Sequence, residues 1–416
     1  MTVARDRGRR PQYAHRFAAV LGAAMLLTSS TGATGDPPTG GKPNGTAARA
    51  SRAAWTEPAG PAIELQSGNA GSGNPIEHPP QSPAPEVGQA QQQPAPATPT
   101  PGQPVPAPAP FAEWLEGVRA EALERGIKAE TVRAAFDGLE PLLVVVERDR
   151  MQAEFTLSLD EYLRRRLTKA LIRDTRAALA RHQRLLTRVG TKYGVPAYVL
   201  ASVWAIESNL GRFSGVRPTV QALATLAWDG RRATFFRSEL LDALAILDAG
   251  DVEPARLKGS WAGALGQPQF MPSTYLRYAQ DFDGDGRRDI WGSLPDVFAS
   301  IANFLKENGW TAGEGWGREV RVTAAEDAIA AAAPLRLAGC RAFREMSEPL
   351  PLARWSELGV RTTTGEALPR ADRIASLVAA GPRRFLVYGS YEALLAYNCA
   401  HAYALSVGVL ADRLRQ

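Results

Sequence analysis

Val203-Trp204-Ala205-Ile206-Glu207-Ser208-Asn209 sets one carboxylate into an otherwise apolar run. Apolar residues continue from Ala197 to Leu210 at helical spacing, Val195-Pro196 fits a helix start, and Gly211 fits its end. On that helix the neighbours of Glu207 at three and four positions are Val203, Trp204 and Leu210, so the carboxylate leans toward the core side. It also stands near the helix C-terminus, where the macrodipole disfavours negative charge. Desolvation and dipole both raise a carboxyl pKa, which a general acid needs near neutral pH. A lone glutamate at a helix end more often turns to solvent, and two further strings reverse that reading.

The first is Gly266-Gln267-Pro268-Gln269-Phe270-Met271-Pro272-Ser273, a loop rich in amide and aromatic side chains. The second is Asp281-Phe282-Asp283-Gly284-Asp285-Gly286. Here Asp281, Asp283, Asp285 and the backbone carbonyl of Arg287 take positions one, three, five and seven of a calcium loop, with Gly286 at the sharp turn. The usual bidentate carboxylate at position twelve is replaced by Gly292, and Asp296 is the next candidate to close the cage. Such a cage reads as structural, because it keeps no open position for catalysis.

Outward from these strings, apolar residues recur at helical spacing in Phe111, Trp114, Leu115, Val118 and Leu123, and again from Leu157 to Val189. Further helices are expected at Ala233 to Ala249, Pro295 to Asn308 and Tyr391 to Leu414. Between Val320 and Val387 five prolines interrupt the chain, and Glu319-Val320-Arg321-Val322 and Phe385-Leu386-Val387-Tyr388 lean toward strands. The expected division is a signal segment at 1–29, a Pro/Gln/Gly-rich disordered tether at 30–110, a helical catalytic body at 111–318, a small β-containing insert at 319–388, and a C-terminal helix at 389–416 that returns to the body.

The signal reading rests on Arg5, Arg7, Arg9, Arg10 and Arg16 ahead of the apolar run Phe17 to Leu27 and small residues beyond it. That run is too short to span a bilayer, and no cysteine follows it to carry a lipid. These five arginines and Asp6 account for +4 of the formal charge of +5. The remainder offers no concentrated basic face for nucleic acid, and Arg164-Arg165-Arg166 reads as a solvated helix face. Cys340 and Cys399 are the two cysteines, enough for one disulfide in an exported chain. His182 and His401 are the only histidines of the folded part, too few for a zinc hydrolase.

The segment from Lys192 to Trp310, with Tyr397-Asn398-Cys399-Ala400-His401-Ala402-Tyr403-Ala404, resembles the membrane-bound lytic murein transglycosylase B family. The resemblance implies a mainly α (α+β) fold: a lysozyme-like helical catalytic core with an EF-hand-like calcium loop, a helical domain and the small β insert. It implies cleavage of the β-1,4 bond between N-acetylmuramic acid and N-acetylglucosamine in peptidoglycan glycan strands, leaving 1,6-anhydromuramoyl ends, with Glu207 as the single acid/base. Ser260 and Gln269 would hydrogen-bond the saccharide, Phe270 and Met271 would form an apolar cleft wall, and Tyr397, Asn398 and Tyr403 would close the cleft. Calcium would be structural, with no organic cofactor. The location would be the periplasm of a Gram-negative envelope, without a lipid anchor. Asp229 reads as a turn or capping residue, and Cys399 and His401 receive no catalytic role. Hydrolysis of the same bond by water, or a wall-binding scaffold without turnover, are the rival readings.

Overall fold

The computed structural model describes residues 109–151 and 158–415; the signal segment and residues 30–108 of the tether lie outside them. Helices dominate. Phe111–Glu124, Ala129–Phe136 and Leu143–Met151 pack on the pair Thr219–Trp228 and Ala233–Ala249. Leu159–Arg166, Lys169–Arg181 and Gln183–Tyr193 lead into Ala197–Ser208, the helix that carries Glu207. This last helix is packed by Lys169–Arg181, Gln183–Tyr193, Leu294–Glu307 and His401–Arg415. Its apolar character on every face follows from that enclosure, and Val199 through Ile206 are all buried.

Two local signals set the position of the Leu294–Glu307 helix. Ser293 caps it by accepting the Asp296 N–H, and Pro295 occupies the first turn, where its missing N–H is harmless. The expected single C-terminal helix is instead two, Gly389–Tyr397 and His401–Arg415, broken at Asn398 to Ala400. At that break Cys399 is joined by a disulfide to Cys340 of the β insert, with Cα atoms 6.5 Å apart.

The insert is a five-stranded antiparallel sheet in the spatial order Leu350–Pro351, Ile374–Ala380, Arg383–Val387, Gly317–Val322, Val360–Thr362. Successive strand side chains point to opposite faces. Phe385 and Val387 accordingly join the main helical core, while Leu386 and Tyr388 join a second core with Trp355, Leu352 and Val360. This alternation seats the sheet on the helical body.

Candidate active site

The Glu207 helix ends one residue after the glutamate, earlier than Gly211 suggests. Asn209 adopts the left-handed conformation at φ 50°, and the Asn209 and Leu210 N–H groups return to the carbonyls of Ala205 and Trp204. Leu210 (φ 62°) and Gln269 (φ 54°) complete the non-glycine residues with positive φ among those described. All three border Glu207 or the loop rich in amides, and strained backbone of this kind concentrates at working sites. Gly211 then turns the chain away, and any side chain there would strike the Gln267 amide.

Glu207 is half-buried by area, but its carboxyl lies deep among protein atoms, and burial pushes its pKa up to about 7. Two groups act in the opposite direction. The Tyr403 hydroxyl stands near enough to favour the carboxylate without a fully formed hydrogen bond to it, and the Arg166 guanidinium acts through space. Tyr162 and Tyr397 also feel the charge of Glu207, and burial raises the pKa of both hydroxyls, so they stay neutral. No second carboxylate acts on Glu207 among the described residues.

The C-terminal wall is aromatic. Tyr397 stacks on Tyr403 with ring centroids 5.8 Å apart, and its hydroxyl donates to the Pro268 carbonyl at 2.7 Å, which ties this wall to the Gln-Pro-Gln loop. Asn398 caps the Gly389–Tyr397 helix, and its N–H donates to the Leu394 carbonyl. His401 lies apart, buried against the Tyr391 hydroxyl, and burial lowers its pKa to about 4.

Gln269 is partly exposed, and its amide donates to the Gly266 carbonyl at 2.7 Å. Ser260 occupies a tight turn in which its hydroxyl accepts the N–H groups of Ala262 and Ala264. Bridges from Leu265 to both Gly259 and Phe270 set the two turns side by side. Met271 is partly exposed beside them, but Phe270 is not a cleft residue. It is 1% exposed and packs against Phe304 and Tyr397, so it supports the wall from behind and offers a saccharide no surface.

In the acidic loop, oxygens of Asp281, Asp283 and Asp296 come within 4.8 Å of one another. Asp296 is fully buried, and burial first and the Asp283 charge second push its pKa up to about 6. Three hard oxygen donors so close together fit a cation such as calcium. Asp285 stands outside the set; its carboxylate accepts the Arg287 N–H at 2.9 Å, and Arg287 itself is exposed at the rim. Asp229 caps the Thr219–Trp228 helix and pairs with Arg150.

Three site residues escaped the sequence reading. Arg166 turns inward from the arginine run and donates to the Ile206 carbonyl, whereas Arg164 and Arg165 are exposed. Tyr162 stands four residues before it on the same helix face, and that i, i+4 spacing was the available signal. Gln267 is buried, accepts from the Trp204 indole and donates to the Trp291 carbonyl. Nothing in the sequence separates it from Gln269.

A helical body that holds one deeply seated acid at the end of a buried helix, walled by tyrosines, defines the lysozyme-like class. The model of the transglycosylase SLT domain matches residues 110–412, and the chain belongs to that family. It is similar to the membrane-bound lytic murein transglycosylase B of Escherichia coli K12, at 41% identity over 130 residues, 31% of this chain and 36% of that protein. The chain thus matches little more than a third of that relative's length. Among solved structures it is similar to SltB3 from Pseudomonas aeruginosa in complex with NAG-anhNAM-pentapeptide, at 43% identity and TM-score 0.67, covering 73% of this chain and 79% of that one. The fold is also shared with Escherichia coli Slt35 in complex with calcium, at 24% identity and TM-score 0.59, covering 74% of this chain and 93% of that one. No described helix is long and apolar enough to cross a membrane.

Proposed function

We propose that the protein is a lytic transglycosylase of peptidoglycan glycan strands, acting on the β-1,4 bond between N-acetylmuramic acid and N-acetylglucosamine. The observation that carries this reading is the Glu207 carboxyl, held by burial at a pKa of about 7. Protonated, it gives its proton to the glycosidic oxygen as the bond to the muramoyl C1 breaks. The muramoyl N-acetyl group stabilises the electron-poor carbon, so no protein nucleophile is required. The Glu207 carboxylate then takes the proton of the C6 hydroxyl as that oxygen bonds to C1, which restores the acid and closes the 1,6-anhydro ring. Binding of peptidoglycan fragments by similar proteins, as in the SltB3 complex, supports the substrate.

Ser260, Gln269 and Met271 line the saccharide side in this reading, and Tyr397, Asn398 and Tyr403 form the opposing wall. Asp281, Asp283 and Asp296 hold a calcium ion that stabilises the loop and takes no part in the chemistry. The basic and apolar opening of the sequence supports export to the periplasm. Mass analysis of the products from purified sacculi tests the reading: anhydromuramoyl ends are expected, reducing ends mean hydrolysis, and no product means binding alone.

A further inference from the structure

Arg166 closes the Leu159–Arg166 helix and reaches across to the end of the Glu207 helix. The carbonyl it takes, that of Ile206, belongs to the last turn, where no N–H within the helix remains to pair with it. A cation at this end also opposes the negative pole of the helix dipole. The guanidinium has one buried nitrogen left over. Its Nε is buried and has no hydrogen-bond partner, an expensive state for a charged donor unless an acceptor arrives during the reaction.

The groups facing Glu207 explain which acceptor that is. Tyr162 comes from the helix of Arg166 itself, Tyr397 from Gly389–Tyr397, and Tyr403 from His401–Arg415, and burial keeps all three hydroxyls neutral. Arg166 is therefore the charged side chain that acts on Glu207 among the described residues. Its charge is permanent, so it does not change as the reaction proceeds.

We propose that Arg166 is a positioning residue: its fixed guanidinium stabilises the carboxylate that Glu207 becomes after giving up its proton, and so lets one side chain act first as acid and then as base. This rests on the reading of Glu207 as the acid/base. Without the cation, the buried carboxylate would have only neutral hydroxyls to hold it, and the return step would begin from a less populated state.

The experiment compares Arg166→Gln, which keeps a donor for the Ile206 carbonyl but loses the charge, with Arg166→Lys, which keeps the charge. The readout is the pH profile of kcat/KM on purified glycan strands, with melting curves alongside. Arg166→Gln is expected to move the alkaline limb upward by about one pH unit, the size of a typical single charge effect, and to lower the optimum about tenfold. Arg166→Lys is expected to return the limb toward the wild-type position. A folded Arg166→Gln protein whose limb stays in place overturns the proposal. Should that variant fail to fold, Arg166→Lys decides: an unmoved limb supports the proposal, and a limb displaced upward despite the retained charge overturns it. Glu207→Gln measured in parallel separates the two readings. If it stays active, both fail; if it is inactive while Arg166→Gln keeps the wild-type limb, only the role of Arg166 fails.

Discussion

The indole N–H of Trp204 donates to the side-chain oxygen of Gln267 at 2.7 Å, one helical turn before Glu207. The same amide donates onward to the Trp291 carbonyl at 2.8 Å, and the Gln267 N–H reaches the Ile290 carbonyl. One buried side chain thereby joins the glutamate helix, the amide loop and the far end of the acidic loop.

Replacing Gln267 by Leu keeps the volume but strands the Trp204 N–H in a buried place. An unsatisfied buried donor costs about 1–3 kcal/mol, so the melting temperature should fall and turnover should fall with it as the helix and loop lose their register. The check is thermal unfolding of the variant beside wild type. An unchanged melting temperature would contradict the role assigned to this amide.

Glu207→Gln retains shape and hydrogen bonding while removing the transferable proton. Acid-base groups of this kind contribute about 10²–10⁴-fold, so muropeptide release should fall by that range with folding and glycan binding intact. Near-normal release would refute the assignment.

How far the sequence carried the reading is visible in particular elements. Ala233–Ala249 is found with the expected bounds, and Glu207 was legible because an acid inside an apolar helix is costly without a use. Its helix was misjudged at the end because Asn209, a tolerable left-handed residue, stops it before the glycine. The C-terminal pair read as one helix because the break at Asn398 carries neither glycine nor proline; the disulfide at Cys399, a long-range link, fixes it there. Phe270 was misplaced because period and composition do not say which side of a loop meets solvent. Arg166 was missed for the complementary reason: in an arginine run, one member turned inward leaves no trace in composition.

The pH dependence follows from the raised carboxyl of Glu207. The donor is protonated below a pKa of about 7, so kcat/KM should decline as pH rises through that value. The same shift has a stability sign. Because the folded state binds this proton more tightly than the unfolded chain does, the stability it brings is present at low pH and is lost as pH rises through about 7. Glu207→Gln, permanently neutral, should therefore gain in melting temperature over wild type between mildly acidic and alkaline buffers. A gap independent of pH would show that the folded carboxyl is not raised.

The Cys340–Cys399 bridge closes a loop of 59 residues and holds the break beside Tyr397 and Asn398. Removing a bridge of this kind typically costs about 2–5 kcal/mol. The double variant Cys340→Ala, Cys399→Ala should melt at lower temperature, and its KM for glycan should rise because the aromatic wall is less fixed. A KM equal to wild type at a temperature where the variant is fully folded would confine the bridge to stability.

Asp281, Asp283 and Asp296 cannot hold their oxygens within 4.8 Å of one another without repulsion unless a cation or a proton intervenes, and Asp296, raised to about 6, already shows the strain of burial beside Asp283. A calcium ion removes that repulsion in the folded state and finds no preformed cage in the unfolded chain, so at a hundred times its dissociation constant it stabilises by about 2.7 kcal/mol. A chelator should therefore lower the melting temperature, and calcium should restore it better than magnesium, which demands a tighter octahedral cage. Asp283→Ala should remove most of the response while folding remains intact, since Asp283 is exposed and its neighbour contact is the Ser293 hydroxyl. Asp296→Ala is the poorer probe, because the Asp296 carboxylate also receives the N–H groups of Phe282 and Asp289, and its loss would destabilise the loop with or without an ion. Gln267 links this region to the glutamate helix, so activity near the melting temperature should fall with chelation, while activity in the cold should survive it. A wild-type melting curve that is the same in chelator and in millimolar calcium would sink the calcium assignment and leave the three carboxylates as a turn held by its own N–H groups.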